Sequence, residues 1–184
     1  MSNILNGIDL TALRQFADGV VQTPAKGDAR FNVKTKWEHQ ARTVATVNHY
    51  WLGGEKYQRH FEIAADEPVE LLGKDTAPNP VELLMAALNA CLSVGFAANA
   101  AVMGIKIHNL EIETDGALDL RGFLGLDPNV NPGLDEVNYV VRIETDAPQE
   151  RVEELHKAVT KTSVNFANFT KAIRMNATLE VSKA

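Results

Sequence analysis

The sequence predicts an α+β fold in which antiparallel sheets pack around a long central helix. Three observations carry this. The stretch from Leu83 to Ile105 holds no charge and begins and ends on helix signals, so it reads as one long apolar helix. Period-two runs are grouped before and after it instead of alternating singly with helices, which argues against a doubly wound parallel sheet. The length of 184 residues supplies one domain with a substantial core.

Residues Asn6 to Val21 come first, with Leu10, Leu13, Ala17 and Val20 at helical spacing and Asp9 in the first turn. Gln22 to Asp28, with Pro24 and Gly27, reads as a linker, so residues 1–28 form an appendage to a domain over 29–184. From Ala29 the period becomes two: Phe31, Val33, Thr35 and Trp37 fall on one face and Asn32, Lys34, Lys36 and Glu38 on the other. Thr43 to Trp51 and Tyr57 to Ile63 continue as strands, the latter with Tyr57, Arg59, Phe61 and Ile63 on one side. Gly53 and Gly54 supply the hairpin turn between them. Ala64 to Pro78 is an irregular connection carrying Glu67, Glu70, Lys74 and Asp75, charges that a loop usually leaves in water.

The long helix opens on Asn79 as cap, Pro80 at the first position and Glu82 three residues after the cap, the elements of a capping box. Gly104 offers the left-handed stop. At about 100° per residue, Leu84, Ala87, Leu88, Cys91, Gly95, Ala98 and Val102 share a stripe, with Asn89 and Ser93 roughly opposite. Met85 and Phe96 make the helix apolar nearly all round, so it is either buried or membrane-spanning. The stripe is mostly small residues with no basic or aromatic belt at either end, and burial in protein is the reading adopted.

After Gly104, Ile105 to Ile112 reads as a strand with an irregularity at His108 and Asn109. Asp115 to Glu136 is rich in Gly and Pro and reads as a long loop or flap. Val137, Tyr139, Val141 and Ile143 alternate as a strand. A second helix opens near Pro148 with Val152, Leu155 and Val159 inward, breaks near Ser163 and continues as a short helix to Ile173. Met175, Ala177, Leu179 and Val181 are placed as a closing strand.

Eighteen basic residues against 24 acidic give a net charge of -6 and a pI near 5.4. This argues against nucleic acid and anionic membrane as partners held by bulk charge. The first residues lack a secretory pattern, so a cytoplasmic protein is expected. Five histidines show no ligand spacing, so no metal and no cofactor is expected. Cys91 is the one cysteine, and its roles reduce to buried filler, reactive thiol or intermolecular link.

Three stretches carry a family resemblance: GKDTAPNPVELLMAALNACLSVGFAANAAVMGIKI from Gly73, DLRGFLGLDPNVNPG from Asp119, and SVNFANF from Ser163. Across about Ala29 to Val181 the chain resembles the OsmC/Ohr family, the osmotically inducible protein C and organic hydroperoxide resistance proteins. The resemblance implies an intertwined homodimer with its site at the subunit interface. In peroxidase members a cysteine of the central helix attacks a hydroperoxide and the resulting sulfenic acid is captured by a second cysteine. Cys91 matches the first of these, and Ser163 stands where the second aligns. A serine forms no disulfide, so turnover would need an external thiol reductant.

An unperturbed thiol is mostly protonated at neutral pH. Cys91 lies too far from Asn79 for the helix dipole to help, so a cation must come from elsewhere. By resemblance, Arg42 is the match for the activating arginine and Glu70 for the glutamate that orients it, with Arg59 and Glu67 as alternative partners. Two functions are therefore expected to compete. One is peroxide reduction through Cys91; the other is a non-catalytic dimer whose apolar pocket binds a small hydrophobic ligand or a protein, with Cys91 as packing.

Overall fold

The computed structural model describes residues 3–183 and is a mixed α+β fold. Asn6 and Gly7, both at positive φ, turn a short hairpin of β1 (Ile4–Leu5) and β2 (Ile8–Asp9) ahead of α1 (Leu10–Gln22). The first helix therefore starts at Leu10 instead of Asn6. Asp9 is its cap and not part of its first turn, with Oδ1 accepting from the Thr11 and Ala12 N–H groups at 2.8 and 3.1 Å. The Asn6 amide donates to the Ile105 carbonyl and accepts from the Ile107 N–H, both at 2.9 Å. The N-terminal segment is thereby fastened to the turn that follows the long helix.

After a 3-10 turn at Pro24–Gly27 come β3 (Ala29–Phe31), β4 (Lys34–His39), β5 (Arg42–Leu52) and β6 (Glu55–Ala65). β5 pairs antiparallel with β3 and β4 along one edge and with β6 along the other. Gly53 and Gly54, at φ 59° and 86°, close the β5–β6 hairpin, a conformation that favours glycine at both positions.

Two register shifts correct the expected faces. Phe31 pairs with Tyr50 but Thr35 pairs with Ala45, so the break between β3 and β4 puts Phe31 on the face opposite Thr35 and Trp37. A bulge between the Val47–Phe61 and His49–Gln58 pairs likewise separates Tyr57 from Phe61 and Ile63. One extra residue inverts every side chain beyond it. On the resulting apolar face Val47, on the central strand, is buried, while the flanking side chains are bare: Trp37 is 69% and Phe61 58% exposed.

The connection to the long helix is a tight knot around Asp66, which is 1% exposed. Oδ1 accepts from the Glu67 N–H at 2.9 Å; Oδ2 accepts the Thr76 hydroxyl proton at 2.7 Å and the Thr76 and Lys74 N–H groups at 3.1 and 3.3 Å. A Cβ on Gly73 would sit 1.8 Å from the Glu67 carbonyl oxygen, so the loop closes only with glycine there.

α2 (Pro80–Val102) carries a complete capping box: Asn79 Oδ1 accepts from the Glu82 N–H and Glu82 Oε2 from the Asn79 N–H, each at 2.8 Å. Its buried residues are Leu88, Leu92, Phe96, Ala100 and Ala101, a ridge displaced from the expected stripe; Leu84 and Val102 are exposed and Cys91 lies on the flank. Almost every face of α2 is apolar, so the partner elements choose which one is covered. Those elements are β7 (Ile107–Gly116), paired antiparallel with β8 (Val137–Thr145), and the helices α4 (Gln149–Thr162) and α5 (Val164–Thr170). The register of β7 shifts at His108 as expected.

Leu88, Leu92, Phe96, Ala100, Ile105, Leu155 and Val159 form the core. A Cβ on Gly95 would lie 2.9 Å from Val159 Cγ1, so α2 and α4 cross at that glycine. Between β7 and β8 the long loop contains one helical turn, α3 (Leu120–Phe123). The expected closing strand does not form within the chain. Residues 171–183 carry no regular structure, and Leu179 is 88% exposed, because no sheet edge of the same chain takes them up.

The Thr76 hydroxyl, followed by the backbone donors and against the opposing effect of burial, lowers the Asp66 carboxyl to about 2. A depressed acid stabilises the fold fully above its unfolded value of about 3.9 and loses that contribution as pH falls towards 2. Urea unfolding of the wild type is therefore expected to weaken more steeply between about pH 4 and pH 2 than that of Asp66→Asn. Parallel acid limbs would contradict the role given to this carboxylate.

Candidate active site at Cys91

The flank of α2 that carries Cys91 is fixed from two sides. Asn89 donates to the Ile112 carbonyl at 3.2 Å and accepts from the Thr114 hydroxyl, which ties the helix to β7. Asn165 donates to the Ala87 carbonyl at 2.8 Å, which ties α5 to the turn just before the cysteine. The α4–α5 junction consequently lies against the sulfur.

Ser163 occupies that junction and is 5% exposed. It caps α5 by accepting the Phe166 N–H at 3.3 Å, and its own proton is donated to Cys91 Sγ, also at 3.3 Å. A hydroxyl has one proton, and here it is directed at sulfur. Cys91 as a residue is half-buried.

The cationic partners expected from the sequence stand elsewhere in the chain. Arg42 Nε donates to Glu38 Oε2 at 2.9 Å and Nη1 to the Thr76 hydroxyl oxygen at 2.8 Å. Glu70 is exposed in the 3-10 turn Val69–Leu71. Arg59 lies over the Tyr50 and Phe61 rings, 4.9 and 5.6 Å from their centroids. Glu67 serves through its backbone, its carbonyl accepting from the Asp75 N–H at 3.1 Å. The structure thus brings Cys91 and Ser163 together and leaves Arg42, Glu70, Arg59 and Glu67 outside hydrogen-bond reach of the sulfur within the chain.

Arg42 is tied through Thr76 to the start of α2. Cys91 lies twelve residues beyond Asn79, about 18 Å along the axis at ~1.5 Å per residue. The arginine and the thiol of one chain therefore sit at different levels of the helix.

Asp66, Thr76 and Glu38, the groups that surround Arg42, are residues that sequence reasoning did not single out. The available signal was Thr76 in the turn just before the cap, with an acid at the end of the preceding strand. Near the start of α2, Val81, Met85, Leu118, Leu120 and Phe123 line a cavity of about 500 Å³. The RGFLGL loop forms one wall of it. No group of three or more His, Cys, Asp or Glu side chains is arranged to hold a metal among the described residues.

Two solved structures show the same fold. An OsmC-like protein from Mycoplasma pneumoniae superposes with a TM-score of 0.61 at 16% identity, over 77% of this chain and 87% of its own. An OsmC-like protein from Vibrio cholerae O1 biovar eltor gives 0.51 at 14% identity, over 74% and 91%. No curated protein matches by sequence. The profile of the OsmC-like protein family matches residues 73–178, more than half of the sequence. That span takes in the capped helix, Cys91 and Ser163, and the chain belongs to the OsmC-like protein family.

Proposed function

We propose that the protein is a homodimeric thiol peroxidase that reduces organic hydroperoxides through Cys91, with an external thiol as reductant. The observation that carries this is the Cys91–Ser163 pair. The sulfur of a half-buried cysteine receives a hydroxyl proton at 3.3 Å in the place where the resemblance sets a resolving cysteine.

In the first step the Cys91 thiolate attacks one peroxide oxygen and the O–O bond breaks. The alkoxide leaves and takes a proton to become the alcohol, while sulfur is oxidised to the sulfenic acid. Ser163 cannot capture it. An external thiol displaces water to give a mixed disulfide, and a second thiol releases Cys91 with formation of the external disulfide.

The homodimer rests on surface. A compact chain of 20.1 kDa exposes roughly 8,700 Å², whereas this chain exposes 13686 Å². The surplus of about 5,000 Å² on one chain exceeds one partner's share of an ordinary obligate interface, roughly 1,000–2,500 Å², as expected where two chains intertwine. The bare face of the β3–β6 sheet and the alternating Ile173, Met175, Ala177, Leu179 and Val181 are the surfaces a second copy covers. In this arrangement Arg42 serves Cys91 of the partner subunit, and Glu70, exposed on the adjoining loop, joins them across the interface.

One observation favours a second reading. The cavity between α2 and the RGFLGL loop is about 500 Å³ and lined mainly by apolar residues, with Glu67, Asn79 and Glu82 at its polar side, and suits a small, largely hydrophobic ligand. In that reading Cys91 is packing.

Two experiments decide between them. On a small dose of organic hydroperoxide the native protein is expected to gain one oxygen at Cys91 and to consume peroxide in the presence of a thiol. Cys91→Ser is expected to lose both, and Arg42→Ala to slow Cys91 alkylation roughly tenfold, the scale of one charge-assisted hydrogen bond. A thiol inert until the protein unfolds would leave the ligand-binding reading. Separately, Ser163→Cys is expected to form a disulfide between Cys91 and the introduced thiol on peroxide treatment, seen as loss of both thiols by mass spectrometry. Two persistent thiols would contradict the geometry assigned to the pair.

A further inference from the structure

Asp66 is the one acidic side chain among the described residues that is fully buried, and the thiol chemistry does not use it. It reaches Arg42 through a single atom. An ionised carboxylate only accepts, so the Thr76 hydroxyl proton is committed to Asp66 Oδ2 at 2.7 Å. The Thr76 oxygen then has only lone pairs to present, and Arg42, which only donates, meets them with Nη1 at 2.8 Å. Glu38 holds Nε on the other edge at 2.9 Å. Two acceptors on a planar fork fix its plane and leave Nη2 without a partner among the described residues.

We propose that Asp66, acting through the Thr76 hydroxyl, is a positioning residue that clamps the Arg42 guanidinium with its Nη2 edge unengaged, ready for the thiol of a second copy. This rests on the peroxidase reading above. Asp66 touches neither the thiol nor the peroxide. Its burial and its three backbone N–H donors hold the carboxylate at one point, and the hydroxyl carries that fixed position on to the arginine. The loop that starts α2 and the strand that bears Arg42 are thereby locked in one register.

The test compares Cys91 alkylation rates at pH 7 in Thr76→Val, Thr76→Ser, Arg42→Ala and the Thr76→Val/Arg42→Ala double variant, with sedimentation and melting as controls of assembly and fold. Thr76→Val is expected to slow alkylation several-fold, Thr76→Ser to restore it, and the double variant to be no slower than Arg42→Ala alone. Additive losses, or a Thr76→Ser protein as slow as Thr76→Val, would overturn the proposal. Should Thr76→Val fail to fold, arginine side-chain NMR of the unaltered dimer decides. A clamped guanidinium gives separate Hη signals for Arg42, whereas one averaged signal would overturn the clamp. A slow Arg42→Ala with an unaffected Thr76→Val removes the role of Asp66 alone. An unaffected Arg42→Ala removes the activation scheme itself.

Discussion

The packing of α2 against α4 at Gly95 and Val159 is the contact on which the site depends. A glycine there lets the two helices approach closely, with a hypothetical Cβ only 2.9 Å from Val159 Cγ1. Leu92, Phe96 and Leu155 fill the remaining space. Because α4 ends at Thr162 and α5 begins at Val164, that crossing sets Ser163 opposite Cys91, one turn before Gly95 on the same helix. Large-to-small changes in such a core cost ~2–5 kcal/mol. A shift of this crossing moves the Ser163 hydroxyl off the sulfur.

A second, separate constraint acts at the other end of α2. The Asp66 knot and the capping box make the start of the helix stiff, and Thr76 ties that stiff point to Arg42. The arginine is therefore held level with the start of the helix, while the thiol of its own chain lies about twelve residues further along. Rigidity at both places turns a matter of reach into a matter of assembly: within the dimer proposed above, each thiol takes its cation from the other copy.

Much of this is legible in the sequence where the determining interactions are local. Asn79, Pro80 and Glu82 announce the start of α2 because a capping box spans only four residues. Gly53–Gly54 announces its hairpin for the same reason. The faces of the first strands are not legible, because the bulges near Asn32 and Arg59 leave the alternation of residue types intact while inverting its sense. The buried ridge of α2 is misplaced by its pattern because a helix apolar on every side carries no strong directional signal. Asp66 gives no warning because its burial depends on donors eight to ten residues away, in a loop whose charges ordinarily stay in water. The closing strand is read from a real alternation, Met175 to Val181, for which the chain by itself offers no edge.

The most direct measurement is alkylation of Cys91 in mixed dimers that combine one Cys91→Ser protomer with one Arg42→Ala protomer. The single remaining thiol then belongs to the protomer without Arg42 and faces the intact Arg42 of the other. Service across the interface predicts native reactivity at that thiol, well above the Arg42→Ala homodimer. Reactivity no greater than in the Arg42→Ala homodimer would contradict it and return the activation of Cys91 to groups of its own chain.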